Sequence, residues 1–158
     1  MTGPIDPDVD LHEPAQRREL LRTHGAVLAV VAVGAGLGSL ARFGLATWWP
    51  TGVGGFPWST FTVNVVGCFL IGVLMIVITE VRMAHPLVRP FLGVGVLGGF
   101  TTFSAYAADI RVLIESGHLP LGMLYLAATL LCALPATASA VALTRFAHRR
   151  ALLRRRVA

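Results

Sequence analysis

Lysine is absent from this 158-residue chain, and charge of either sign is scarce. Charged residues make up 13% of the sequence, about half the share of an ordinary soluble domain. Hydrophobic residues make up 55%, and the mean hydropathy is +0.72. Without lysine there is no Gly-Lys-Ser/Thr phosphate loop and hence no P-loop nucleotide site. Only two cysteines occur, Cys68 and Cys132, each alone inside an apolar run; this excludes a disulfide framework and a thiolate metal cluster. The histidines (12, 24, 85, 118 and 148) all fall in tails or connectors, so no Ser/His/Asp arrangement forms. Acidic residues are missing from the middle of every apolar run: Glu80, Asp109 and Glu115 stand toward run ends. A proton-coupled exporter needs an acid at membrane depth. Neither an enzyme nor an energy-coupled pump is therefore expected, which leaves passive permeation.

Long apolar runs are what the chain does have. They cover residues 26–48, 57–79, 86–114 and 119–146, each at least the roughly 20 residues a helix needs to cross a bilayer. The fold class is an all-α membrane protein with four transmembrane helices. The domain plan is a flexible N-terminal extension (1–25), a four-helix transmembrane unit (26–146) and an Arg-rich tail (147–158). The acidic start of the chain does not match the basic opening of a signal peptide. Short connectors rich in turn residues, such as Thr51-Gly52-Val53-Gly54-Gly55, join the runs. Trp48, Trp49 and Trp58 suit one interfacial belt.

All 13 basic residues are Arg, and the net charge is +5. Eleven of them flank the runs on one side: Arg17, Arg18, Arg22, Arg82, Arg89, Arg145, Arg149, Arg150, Arg154, Arg155 and Arg156. The positive-inside bias then places both termini in the cytoplasm, in a cell membrane, and explains the basic pI without nucleic acid. The C-terminal cluster also suits contact with anionic lipid.

Several residues do not belong in lipid. The third run contains Gly98-Gly99-Phe100-Thr101-Thr102-Phe103-Ser104-Ala105-Tyr106. Adjacent glycines loosen a helix, and freed backbone is tolerated at membrane depth only when buried in protein or lining a wet path. A break is expected near Gly98-Gly99. Arg42 is the one full charge well inside a run; it either snorkels to the interface or stands as a fixed positive charge at a pore mouth. Asn64 either bridges two helices or aims an N–H into a solvated path. Phe103 and Tyr106 share a helix face, as packing or as ring edges carrying partial positive charge. Tyr125 and Thr129 share another, with Thr129 free to bond its own helix.

Three motifs resemble the Fluc (CrcB) family of fluoride channels: Gly34-Ala35-Gly36-Leu37-Gly38-Ser39-Leu40-Ala41-Arg42-Phe43, Thr60-Phe61-Thr62-Val63-Asn64-Val65-Val66-Gly67-Cys68-Phe69, and Gly98-Gly99-Phe100-Thr101-Thr102-Phe103-Ser104. The resemblance spans about residues 26–146. It implies a four-helix subunit in an antiparallel, dual-topology-type dimer, with fluoride paths at the interface. It further implies a structural sodium ion held by the backbone carbonyls of Gly98 and Thr101. The family's pore positions fall on Asn64, Phe103, Tyr106, Thr102, Ser104, Tyr125, Thr129 and Arg42, and its acidic residue after the aromatic pair on Asp109. Fluoride entering the cell as HF and ionising there would leave through such a channel.

The chain departs from the family pattern at three positions. Tyr106 replaces the usual Phe, and Ala105 and Ala133 lack hydroxyls common there. The Arg asymmetry also exceeds what a subunit inserted in both orientations carries. It points instead to the N-in member of a pair with an oppositely oriented homologous subunit. Two other readings are a structural, non-conducting partner subunit and a small multidrug-type exporter. The exporter needs an acid in its first span, and residues 26–48 contain none.

Overall fold

The computed structural model describes residues 14–81 and 85–157. The first half of the expected N-terminal extension, residues 1–13, and Arg82 lie outside the described residues. Four long helices run α1 (Pro14–Trp48), α2 (Trp58–Ile76), α3 (Phe103–Glu115) and α4 (Leu119–Val157). A π-wound turn, Val77–Val81, extends α2. A π-wound stretch, Arg89–Leu97, and one α turn, Gly98–Phe100, precede α3.

Among the described residues, four segments are long and apolar enough to cross a membrane: His24–Trp48, Trp58–Val81, Arg89–Glu115 and Leu119–Leu153. Their edges follow the apolar runs closely, except at the ends of the chain. There α1 begins at Pro14, inside the stretch expected to be flexible, and α4 continues through the Arg-rich tail. At about 1.5 Å per residue the 39 residues of α4 reach about 58 Å, well beyond the roughly 30 Å of a hydrocarbon core.

Proline marks the starts of α1, α2, α4 and the π-wound stretch, but not that of α3. Pro14 opens α1, Pro57 precedes α2, Pro90 is second in the π-wound stretch and Pro120 is second in α4. In a first turn the missing N–H has no helical partner to lose. α3 ends in a Schellman motif. Gly117, at φ +82°, donates to the Ile114 carbonyl at 3.1 Å, and the His118 amide donates to the Leu113 carbonyl at 2.8 Å. That reversal leads directly into α4.

α1 lies against residues 89–100, while α4 receives both α2 and α3. Glycines set the first contact. A Cβ on Gly34 would lie 2.6 Å from the Phe91 carbonyl oxygen, and one on Gly38 would strike the Val96 carbonyl oxygen. Facing them, Gly95 and Gly99 meet the backbone of Gly34 and Ala35. Two small-xxx-small pairs thus interlock, the packing that brings helices close when lipid offers no hydrophobic drive. Across the α2–α4 seam, Gly72 meets Thr137 and Ala140, and the Thr137 hydroxyl donates to the Cys68 carbonyl at 2.9 Å. The core sits where α2, α3 and α4 converge: Tyr106, Leu113 and Tyr125, flanked by Phe56, Phe61, Ile110, Leu121 and Leu126.

Candidate functional site

Gly98 and Gly99 are helical, with Gly98 at φ −65°, ψ −36°. The residues that leave the helical region are Thr101 (φ −73°, ψ 157°) and Thr102 (φ −152°, ψ 125°). Gly99 has another use, because it packs against the α1 backbone where any side chain would collide. Gly67 does the same on α2, where a Cβ would run into Thr101 Cγ2.

Side chains from two other helices hold the extended pair. The Thr102 N–H donates to Asn64 Oδ1 at 2.8 Å, and Asn64 Nδ2 donates back to the Thr102 carbonyl at 3.0 Å. The carboxamide replaces a strand partner for Thr102 and bridges α2 to the interruption, leaving one N–H free. From α1, Arg42 Nε donates to the Gly99 carbonyl at 3.2 Å and the Ser39 hydroxyl donates to it at 3.4 Å. A cation at the C-terminal end of a half-helix satisfies its last carbonyls and opposes its dipole. The Thr102 hydroxyl caps α3 by accepting the Ala105 N–H at 3.1 Å.

These caps redirect two amides. In a continuous helix the Thr102 N–H would serve the Gly98 carbonyl and the Ala105 N–H would serve Thr101. Both donate to side chains instead, so the Gly98 and Thr101 carbonyls lose their helical donors. Leu97, by contrast, keeps both the Thr101 amide at 2.9 Å and the Thr101 hydroxyl at 3.0 Å.

The aromatic residues form a ladder. Phe103 and Tyr106 lie 5.8 Å apart, Tyr106 and Tyr125 5.2 Å, and Tyr125 and Phe56 5.2 Å, centroid to centroid. Phe103 is 80% exposed on the single chain, whereas Tyr106 is 7% and Tyr125 0% exposed. The Tyr106 hydroxyl donates to the Leu126 carbonyl at 2.9 Å, which ties α3 to α4. Tyr125 donates to Asp109 Oδ2 at 3.5 Å, and Thr129 bonds its own helix, donating to the Tyr125 carbonyl at 2.8 Å. Thr102 and Ser104 share a hydroxyl contact of 3.2 Å that uses only one of their two protons.

Asn64, Arg42, Thr102, Ser104, Phe103, Gly98 and Thr101 therefore meet around the interruption. Tyr106, Tyr125 and Thr129 lie together between α3 and α4. Ser39 and the Leu126 carbonyl escape a reading of the sequence. Ser39 sits one turn before Arg42 on α1, the only hint of its place.

Residues 29–141 match the family described as CrcB-like protein, Camphor Resistance (CrcB). The chain belongs to the CrcB-like family. A relative from Streptomyces coelicolor, named fluoride-specific ion channel FluC 1, is 59% identical over 138 residues, covering 87% of each chain. One from Streptomyces avermitilis, named fluoride-specific ion channel FluC 2, is 57% identical over 125 residues, 79% of each. One from Thermobifida fusca, of the same name, is 49% identical over 118 residues, covering 75% of this chain and 87% of the relative. With its four apolar helices, this CrcB-like chain is a multi-pass membrane protein, and it is not an enzyme.

Proposed function

We propose that the chain is a subunit of a fluoride-selective channel, through which cytoplasmic fluoride leaves passively along paths at an antiparallel dimer interface. The interrupted third span carries this reading: polar backbone and hydroxyls stand beside an exposed aromatic ring, inside a segment apolar enough to cross a membrane. The names of the relatives support fluoride as the ion.

Fluoride is small and holds water tightly, so a path must offer substitute donors at each step and release the ion again. Four groups can do so here: the free Asn64 N–H, the spare hydroxyl proton of the Thr102–Ser104 pair, the Phe103 ring edge and the remaining N–H groups of Arg42. Tyr106 and Tyr125 would form the wall behind them, with Thr129 beside Tyr125. Phe103, exposed on one protomer, suits contact with a second subunit.

A structural sodium ion fits the same place. The Gly98 and Thr101 carbonyls have lost their helical donors, and carbonyl oxygens suit a hard cation. Bound there, sodium would supply fixed positive charge at the interruption. The Arg asymmetry favours cytoplasmic termini and a partner subunit of opposite orientation.

A second reading, a structural subunit whose partner does the conducting, is favoured by one observation. The hydroxyl protons of Tyr106, Tyr125 and Thr129 are all engaged within the chain. Fluoride efflux from proteoliposomes, followed by electrode with a chloride control, tests both readings. Fast, chloride-silent efflux lost on Phe103→Ile or Asn64→Ser supports conduction through this chain. Efflux from a co-expressed pair that ignores both substitutions assigns it the structural role.

A further inference from the structure

Between α3 and α4 the chain holds hydroxyl groups but has few protons to offer. Thr129 gives its proton to the Tyr125 carbonyl, Tyr106 to the Leu126 carbonyl and Tyr125 to Asp109, while position 133 is Ala. Asp109 follows Phe103 and Tyr106 at steps of three, on their side of α3. It is half-buried, with the Tyr125 hydroxyl facing it from α4 and the neutral Thr60 from α2. Tyr106, one turn back, meets Tyr125 edge to face and gives its proton to the Leu126 carbonyl rather than to the acid. Among the described residues the ion pairs are Arg111–Glu115 and Arg145–Glu80, so Asp109 has no cation at ion-pair distance.

An ionised carboxylate only accepts hydrogen bonds, whereas a protonated one also donates. While charged, Asp109 draws the Tyr125 and Thr60 protons toward itself and sets a negative charge beside the aromatic wall. Once it binds a proton, the charge is gone, its own O–H can serve Tyr125 or Thr60, and their hydroxyls can turn elsewhere. We infer that Asp109 is a positioning residue that sets the donor supply on the α3–α4 side of the path: ionised, it withholds hydroxyl protons and repels anions; protonated, it releases them. The inference rests on the fluoride-channel reading. It would tie conduction to acid conditions, the conditions under which fluoride crosses lipid as HF.

Fluoride current across planar bilayers tests this, because neutral HF carries no current. The full chain is used, alone or co-expressed with an oppositely oriented homologue. As the pH falls from about 8 to about 4, through the carboxyl range, wild-type current should rise on the order of fivefold. Asp109→Asn, uncharged and always carrying donors, should give a high current that ignores pH, and Asp109→Glu should keep the rise. A flat wild-type profile, or a rise that survives in Asp109→Asn, overturns the inference and leaves the channel reading standing. If Asp109→Asn fails to assemble, the wild-type profile decides alone. Absence of fluoride current at every pH sinks the channel reading and this inference with it.

Discussion

Asn64 is among the residues on which most depends. Its carboxamide makes two hydrogen bonds to the backbone of Thr102, so truncation orphans both an N–H and a C=O. Each orphaned group costs roughly 1–3 kcal/mol, and Asn64→Ala should lower stability in detergent by about 2 kcal/mol or more. Reversible unfolding in mixed micelles would measure it, and an unshifted midpoint would show that Thr102 finds another partner. Tyr106→Phe removes only the bond to the Leu126 carbonyl while keeping the ring, so its cost should be about 1 kcal/mol by the same assay. A polar residue inside an apolar run is visible in sequence, which is why Asn64, Arg42 and Thr129 stood out. What each one binds was not visible. The partners of Asn64 and Arg42 lie 38 and 57 residues away, and only packing selects among the options a side chain has. Thr129 is the contrary case, since its bond to Tyr125 is local and was one of two readings its spacing allowed.

Among the elements, the contact between α1 and residues 89–100 has the least tolerance. Gly38 and Gly36 are two residues apart on one helix, yet an added Cβ meets the Val96 and Phe100 backbone at Gly38 and nothing within 4 Å at Gly36. Gly38→Ala should therefore yield aggregated or proteolysed protein. Gly36→Ala should stay within about 0.5 kcal/mol of wild type and elute as wild type does in size-exclusion chromatography. Equal behaviour of the two variants would mean that the helices do not approach as closely as described. Gly34 and Gly38 stand at small-xxx-small spacing in the sequence, but their counterpart, Gly95–Gly99, overlaps the stretch where a break is expected. Gly98-Gly99 looked like the weak point because glycine is the poorest helix former after proline. The chain instead keeps both glycines helical, with Gly99 close-packed on α1, and leaves the helix at two threonines, where Asn64 stands ready to accept the Thr102 amide.

For the whole molecule, hydropathy alone located the four spans, since a bilayer sets a length that few other structures demand. Tertiary order among the spans depends on glycine contacts and paired polar groups, which a sequence does not pair by itself. Orientation follows from charge. A C-terminal epitope should be reachable from one membrane face only, and replacing Arg149, Arg150, Arg154, Arg155 and Arg156 by Gln should produce both orientations in a protease-protection assay. Equal labelling of both faces in the wild type would remove the case for a fixed, N-in subunit. If sodium supports the interruption, replacing it by N-methyl-D-glucamine on both sides should abolish fluoride efflux from otherwise intact vesicles. Undiminished efflux would remove sodium from the account.

The third span is the least hydrophobic of the four, at a mean hydropathy of 1.4 against 1.9 or more for the others. It also packs through its glycines on those of α1, which the ribosome makes first. During synthesis, α1 is already in the bilayer when residues 89–100 emerge, and its bare glycine face gives a reluctant segment somewhere to settle. Insertion of the third span should thus depend on the identity of residues 34 and 38, more than fifty positions upstream. A glycosylation reporter placed after residue 115 would register that dependence as the chain is made, before any partner or ion is involved.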